Sequence, residues 1–139
     1  MERKDYLLIE IEKIGIILGA ILQKFFGGKG NSAVTIEHQI ENAKGKLLDE
    51  LNFDIDKFLD LQTEESNEYI FTFSGFSIEN IDLLAKYFSE IGFTENFDDS
   101  KKYLEKALQL YNLCNLKSKT YSFEREANIN AIKNALQLE

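Results

Sequence analysis

The chain has 139 residues, 44% of them hydrophobic and 29% charged, which fits one globular domain with its own core and places it among globular and not disordered proteins. Twenty-four acidic residues against 16 basic ones leave a formal charge of −8 without any clustering of Lys and Arg, so neither a nucleic-acid footprint nor adsorption to an anionic membrane is expected. The single cysteine, Cys114, cannot form an internal disulfide, which makes a reducing, cytoplasmic location the expectation.

Proline is absent, so glycine and asparagine are left to punctuate a helical chain. The first predicted helix runs from Asp5 to Phe26. Leu7, Ile11, Ile14, Leu18, Leu22 and Phe25 recur at steps of three and four and mark its core-facing side. Ile9, Ile16, Ile17 and Ala20 fall around the other side, so the helix wants cover on two faces. Gly15 and Gly19 would let another helix approach closely. Nine residues, Ile14 to Leu22, run without a polar side chain. A membrane span needs about 20. Glu2, Asp5, Glu10 and Glu12 in the lead also speak against a signal peptide.

Gly27, Gly28, Gly30, Asn31 and Ser32 read as a loop. The run GGKGNS lacks the spacing of a phosphate-binding loop and follows a helix where that loop needs a strand. A second helix is predicted from Ala33 to about Leu51, capped by Ser32 or Thr35 and ended by Asn52, with Gly45 signalling a close helix contact or a kink. A short helix, Asp54 to Leu61, starts at the Asp54 cap. Gln62 to Glu68 reads as an acidic linker, and Tyr69 to Phe73 as a short helical turn or an extended core-covering segment. Ser77 caps a helix over Ile78 to Ile91 that stops at Gly92. Asp98 or Asp99 opens the next, Asp99 to Leu116, with Tyr103, Leu104, Ala107, Leu108, Tyr111 and Cys114 on its apolar face. Ser122 caps the last, Phe123 to Leu138, with Ala127, Ile129, Ile132, Ala135 and Leu136 available for packing.

Residues Ile81 to Leu110, with LLAKYFSEIGF followed by SKKYLEKALQL, resemble one tetratricopeptide (TPR) unit. Leu84, Ala85, Phe88 and Gly92 match its first helix and stop, and Leu104, Ala107 and Leu108 its second. Ser100 stands where the pattern has alanine, the link from Gly92 to Ser100 is about three residues longer than in the repeat, and no proline follows Leu110. An ordinary αα-hairpin uses the same contact chemistry. The opening DYLLIEIEK and the helix order also resemble an uncharacterised family of small bacterial helical proteins. That resemblance implies a fold and no activity.

Residue types that carry chemistry are sparse. One His and one Cys do not make a zinc site, and His38, among Glu37 and Glu41, reads as a surface residue. Asp54, Asp56, Asp60 and Glu65 echo a calcium loop, but Phe58 and Leu59 occupy positions that need a ligand and a glycine. Cys114 falls on an apolar helix face, where a packed thiol is expected. Asn112, Asn115, Asn128, Asn130 and Asn134 are candidates for a polar peptide groove, or plain surface.

These readings predict an all-α protein, residues 1–139 forming one domain: a compact bundle or short TPR-like array of five main helices plus one or two short ones. The expected function is protein–protein interaction or scaffolding, without enzymatic activity, catalytic residues, cofactor or metal, and with a protein or a second copy as partner. One alternative is a homodimer through the Ile16, Ile17 and Ala20 side of the first helix. A less favoured one is a small-molecule pocket lined by Tyr69, Phe71, Phe73 and Phe76.

Overall fold

The structure is a computed structural model that describes residues 3–28, 35–94 and 99–137. It is all-α. Among the described residues seven helices follow in order: α1 (Arg3–Gly28), α2 (Ile36–Leu51), α3 (Ile55–Asp60), α4 (Thr63–Phe71), α5 (Ile78–Gly92), α6 (Ser100–Lys117) and α7 (Phe123–Leu136). There is no strand among the described residues.

Local signals set most of the helix ends. Thr35, Asp54, Ser77 and Ser122 each accept a hydrogen bond from the backbone N–H three residues on, filling the open donors of α2, α3, α5 and α7. Asn52 ends α2 in the left-handed region at φ 59°, a conformation its short amide side chain tolerates. The next N–H, of Phe53, then reaches back 3.1 Å to the carbonyl of Leu47, which turns the Phe53 ring inward. Asp99 opens α6 without a side-chain cap bond, and Asp98 lies outside the described residues.

Several expectations are corrected. Gly27 and Gly28 are the last residues of α1, while the remainder of the expected glycine loop, and Ala33, lie outside the described residues. Gln62 to Glu68 is not a linker, because α4 begins at Thr63. Its inward face carries Ser66 and Ile70 one turn apart, and the Ser66 hydroxyl donates to Thr63 O and to Gln109 Oε1 on α6. A polar residue on the buried side hides the helical period. Of the two alternatives for Tyr69 to Phe73 the structure has the helical one, the end of α4 and the turn after it; α7 stops at Leu136, with Leu138 outside the described residues. Gly19 and Gly45 have no neighbour within 4 Å of where a Cβ would sit, so neither marks a helix contact.

The central unit is the α5–α6 hairpin. Ala85 and Ala107 are fully buried in it, and a Cβ on Gly92 would lie 2.5 Å from Leu104 Cγ. Gly92 is therefore glycine because α6 passes against it, and not because the chain needs a positive φ there; Phe93 after it is right-handed. Helix α1 lies on α5 through Ile14, Leu18, Leu22 and Phe25, whose ring meets Tyr87 edge-on at 6.0 Å. Ile17 and Ile21 are buried as well, whereas Leu7, assigned to the core stripe, is exposed. Helix α2 flanks α1, and α7 packs on α6. Phe53 is fully buried amid Phe58, Tyr69, Phe73 and Phe76, with ring centroids 5.3 to 5.7 Å away.

Cross-links fix which helix ends lie together. Asn80, near the start of α5, donates from its side chain to Ile11 O of α1 at 2.8 Å, and Cys114, near the end of α6, approaches Ile78 O. Arg125, in the first turn of α7, donates to Asp82 of α5 and Asn115 of α6. The Lys117 ammonium sits 5.3 Å over the ring of Phe71, the last residue of α4. One end of the bundle thus collects the start of α5, the ends of α4 and α6, the start of α7 and the N-terminal part of α1.

Candidate interaction surface

The molecule is apolar at that end. Beyond Glu10, where α1 touches the turn before α5 at Gly75, the helix runs on as an overhang through residues 3–9, about 10 Å long at helical rise. Tyr6, Leu7, Leu8 and Ile9 follow one another in it, and all four are exposed, from 41% to 57%. At 100° per residue, four successive apolar side chains cover the whole circumference. A helix apolar all round is ordinarily covered on all sides.

The same end carries a second group of uncovered apolar side chains. Phe71, Leu116, Tyr121 and Phe123 are 47% to 82% exposed, with the Tyr121 and Phe123 rings edge-to-face at 4.9 Å. Eight of the exposed large apolar residues therefore lie at one end of the bundle, four on the overhang and four where α4 and α6 end and α7 begins. Among the described residues Ile16, Phe26, Leu48 and Phe93 make up the rest, scattered over other parts. Scattered ones are normal surface, whereas a gathered set marks a contact site.

The scaffold beneath this end is held by polar locks. Arg125 is buried and bridges Asp82 Oδ1 at 3.3 Å and Asn115 Oδ1 at 3.1 Å, while Asn115 donates to Glu126. Asn128 donates to the Tyr111 hydroxyl at 3.1 Å. Asn80 is buried and gives its two amide bonds to Ile11 O and Gly75 O, both at 2.8 Å. At the other side of α6, Lys106 is buried, donates to Leu61 O at 2.6 Å and lies 4.9 Å over the Phe58 ring. Burial holds its pKa below the usual lysine value, with Asp60 and Glu105 opposing, and the ammonium satisfies the carbonyl of Leu61, the residue that follows α3.

No family model, curated protein or solved structure matches the chain.

The residues singled out from sequence do not assemble into a chemical site. His38 is exposed. Asp54 caps α3, while Asp56, Asp60 and Glu65 are exposed, with Asp56 paired to Lys44 at 2.8 Å and Asp60 to Lys102 at 3.5 Å. Among the described residues no three His, Cys, Asp or Glu side chains come together as a metal-ion site. Cys114 is fully buried, and burial pushes its thiol up to about 12, with Asp82 adding to the shift. Asn112 lies in a groove beside α3 and α4, Asn115 and Asn128 belong to the locks, and Asn130 and Asn134 are exposed, so the five asparagines line no common groove.

The aromatic pocket is filled. Phe53 occupies the space among Tyr69, Phe73 and Phe76, the Tyr69 hydroxyl accepts from Asp54 N at 2.9 Å, and Phe71 points outward. Of the proposed dimer face, Ile16 is exposed, Ala20 half-buried and Ile17 buried. No helix among the described residues is long and apolar enough to cross a membrane. Sequence reasoning treated Leu7 as core and missed the overhang. The signal was present in the run YLLI, which has no helical period of its own.

Proposed function

We propose that this chain is a protein-interaction domain of scaffolding type, docking onto another folded polypeptide through its apolar end. The observation that carries this reading is the all-round apolar overhang of α1 standing beside four further uncovered apolar side chains. Such a surface costs solubility unless something covers it, and a charge of −8 elsewhere keeps the free molecule in solution. The resemblance of residues 81–110 to a tetratricopeptide unit supports the same class of function, because such hairpins serve as rigid frames for binding surfaces.

The test compares wild type with a Leu8→Glu/Phe123→Glu variant, both sites being exposed. Each is immobilised and used to recover polypeptides, the chain itself included. Wild type should recover a polypeptide that the variant does not, with the helical circular dichroism of the two alike. Recovery by both, or by neither, overturns the reading.

A further inference from the structure

The two parts of the apolar end are complementary in kind. One is a protruding helix whose turn Tyr6 to Ile9 is apolar all round, and the other is a set of exposed rings and a leucine on the bundle itself. An isologous dimer needs a patch that contains both halves of its own contact. Here both halves sit at the same end of one chain, as the Asn80–Ile11, Arg125–Asp82, Arg125–Asn115 and Lys117–Phe71 links require.

We infer that the partner is a second copy: two chains meet end to end about a two-fold axis, each laying its α1 overhang against Phe71, Leu116, Tyr121 and Phe123 of the other. The inference rests on the docking reading above and names its partner.

Area agrees with this. A Phe or Tyr side chain contributes roughly 150–250 Å² when fully buried, so eight large side chains exposed by 41% to 82% present roughly 800 Å² per copy. A standard stable interface takes about that much from each partner. Charge agrees as well. Two chains of −8 repel, and the contact has to form where acidic groups are sparse. From Leu113 to Phe123 the chain has no acidic residue and carries Lys117 and Lys119, and the overhang sets Lys4 against Asp5; the carboxylates of Glu79 and Glu124 border this stretch, the latter facing Lys86 at 3.6 Å. The flank of α1 beyond the overhang, with Glu12, Lys13, Ile16 and the Glu50 carboxylate of α2, takes no part in this contact.

The test uses the full-length chain. Analytical ultracentrifugation from 2 to 200 µM should show a dimer that high salt does not weaken, because the contact is apolar and salt screens the repulsion between two acidic chains. Leu8→Glu/Phe123→Glu should raise the dimer dissociation constant by roughly 100-fold or more with the helical circular dichroism unchanged. A photo-crosslinking benzoylphenylalanine at Tyr6 of an unlabelled copy, mixed with ¹⁵N-labelled chain, should attach to ¹⁵N peptides spanning 116–123.

A wild-type monomer at 200 µM overturns the dimer, as does a dimer that the double variant leaves intact or a cross-link confined to one copy. A monomer whose variant-sensitive partner is a different polypeptide leaves the docking reading standing. A monomer that recovers nothing but co-floats with phosphatidylcholine vesicles removes both.

Discussion

Asn80 is the residue whose removal should most directly loosen α1. It is buried, and its amide donates at 2.8 Å both to Ile11 O on α1 and to Gly75 O in the turn before α5. Each such bond contributes about 1 kcal/mol net, and the void left by the amide adds a fraction of that. Asn80→Ala should therefore cost about 2–3 kcal/mol, a fall in Tm of roughly 6–10 °C for a chain of this size. The same amide also controls Gly15. A Cβ there would sit 3.0 Å from Asn80 Oδ1, and an amide tied at two points cannot give way. In the wild type, Gly15→Ala sets a helix-propensity gain of about 1 kcal/mol against crowding of about 1–3 kcal/mol. In the Asn80→Ala background only the gain remains. Urea unfolding followed by circular dichroism on the four proteins should give a coupling energy of about 1–3 kcal/mol, with Gly15→Ala stabilising only when Asn80 is absent. Effects that add within about 0.5 kcal/mol would refute the clamp.

Three further outcomes follow from the packing and the ionisable groups. Gly92→Ala crowds Leu104 at 2.5 Å and should lower the Tm, whereas Gly45→Ala, open to solvent in mid-helix, should stabilise by about 0.5–1 kcal/mol; both are read from thermal melts. Arg125→Met removes the bonds to Asp82 and Asn115 but leaves Asp82 partly in water, so a loss of about 1–2 kcal/mol is expected in urea titrations, and none would show that α7 docks by apolar contact alone. Burial raises Cys114 and Tyr103 to about 12, and Tyr87 and Tyr111 upward too, so the folded state keeps protons that the unfolded chain releases. Stability from these groups is complete below about pH 9 and lost as the pH rises toward 12; Lys106, with its lowered pKa, works in the opposite direction. Unfolding free energies at pH 8, 10 and 11 should fall in that order, and a flat profile would contradict the burial of these groups. Below pH 9 the buried thiol should react with a thiol reagent only after denaturant is added.

The helical class and four of the caps were legible in the sequence because they depend on local chemistry: Thr35, Asp54, Ser77 and Ser122 announce helices within a few residues. The contact chemistry of Ala85, Gly92 and Ala107 was legible for the same reason, since small residues set among Leu84, Phe88 and Leu104 let two helices close on each other. What failed was everything set by distant partners. Helix α4 hides because its inward side is Ser66, acceptable only since Gln109 meets it from α6. Phe53 sits in a loop with no period and becomes the centre of the aromatic cluster through the turn at Asn52. Lys106 reads as surface and is buried, because the Leu61 carbonyl and the Phe58 ring wait for it. Leu7 has the right phase for the core, yet by its position the bundle has already ended. Period tells which way a side chain points and says nothing about whether anything is there to meet it.

The clamp at Asn80 and Gly75 explains how an uncovered overhang persists as a helix. Two turns of helix alone in water do not hold, because nucleation is costly and short helices fray. Here the overhang continues a helix already fixed at Ile11 and packed from Ile14 to Phe25, so each added residue incurs only the cost of propagation. A Cβ on Gly75 would strike Glu10 O at 2.6 Å, so the turn before α5 presses directly on the α1 backbone where the overhang begins. The exposed segment is thereby ordered before any partner arrives, which lowers the entropy lost on docking. It also links the two properties of α1: a change that loosens Asn80 or crowds Gly75 acts at once on the stability of the bundle and on the order of the surface it presents.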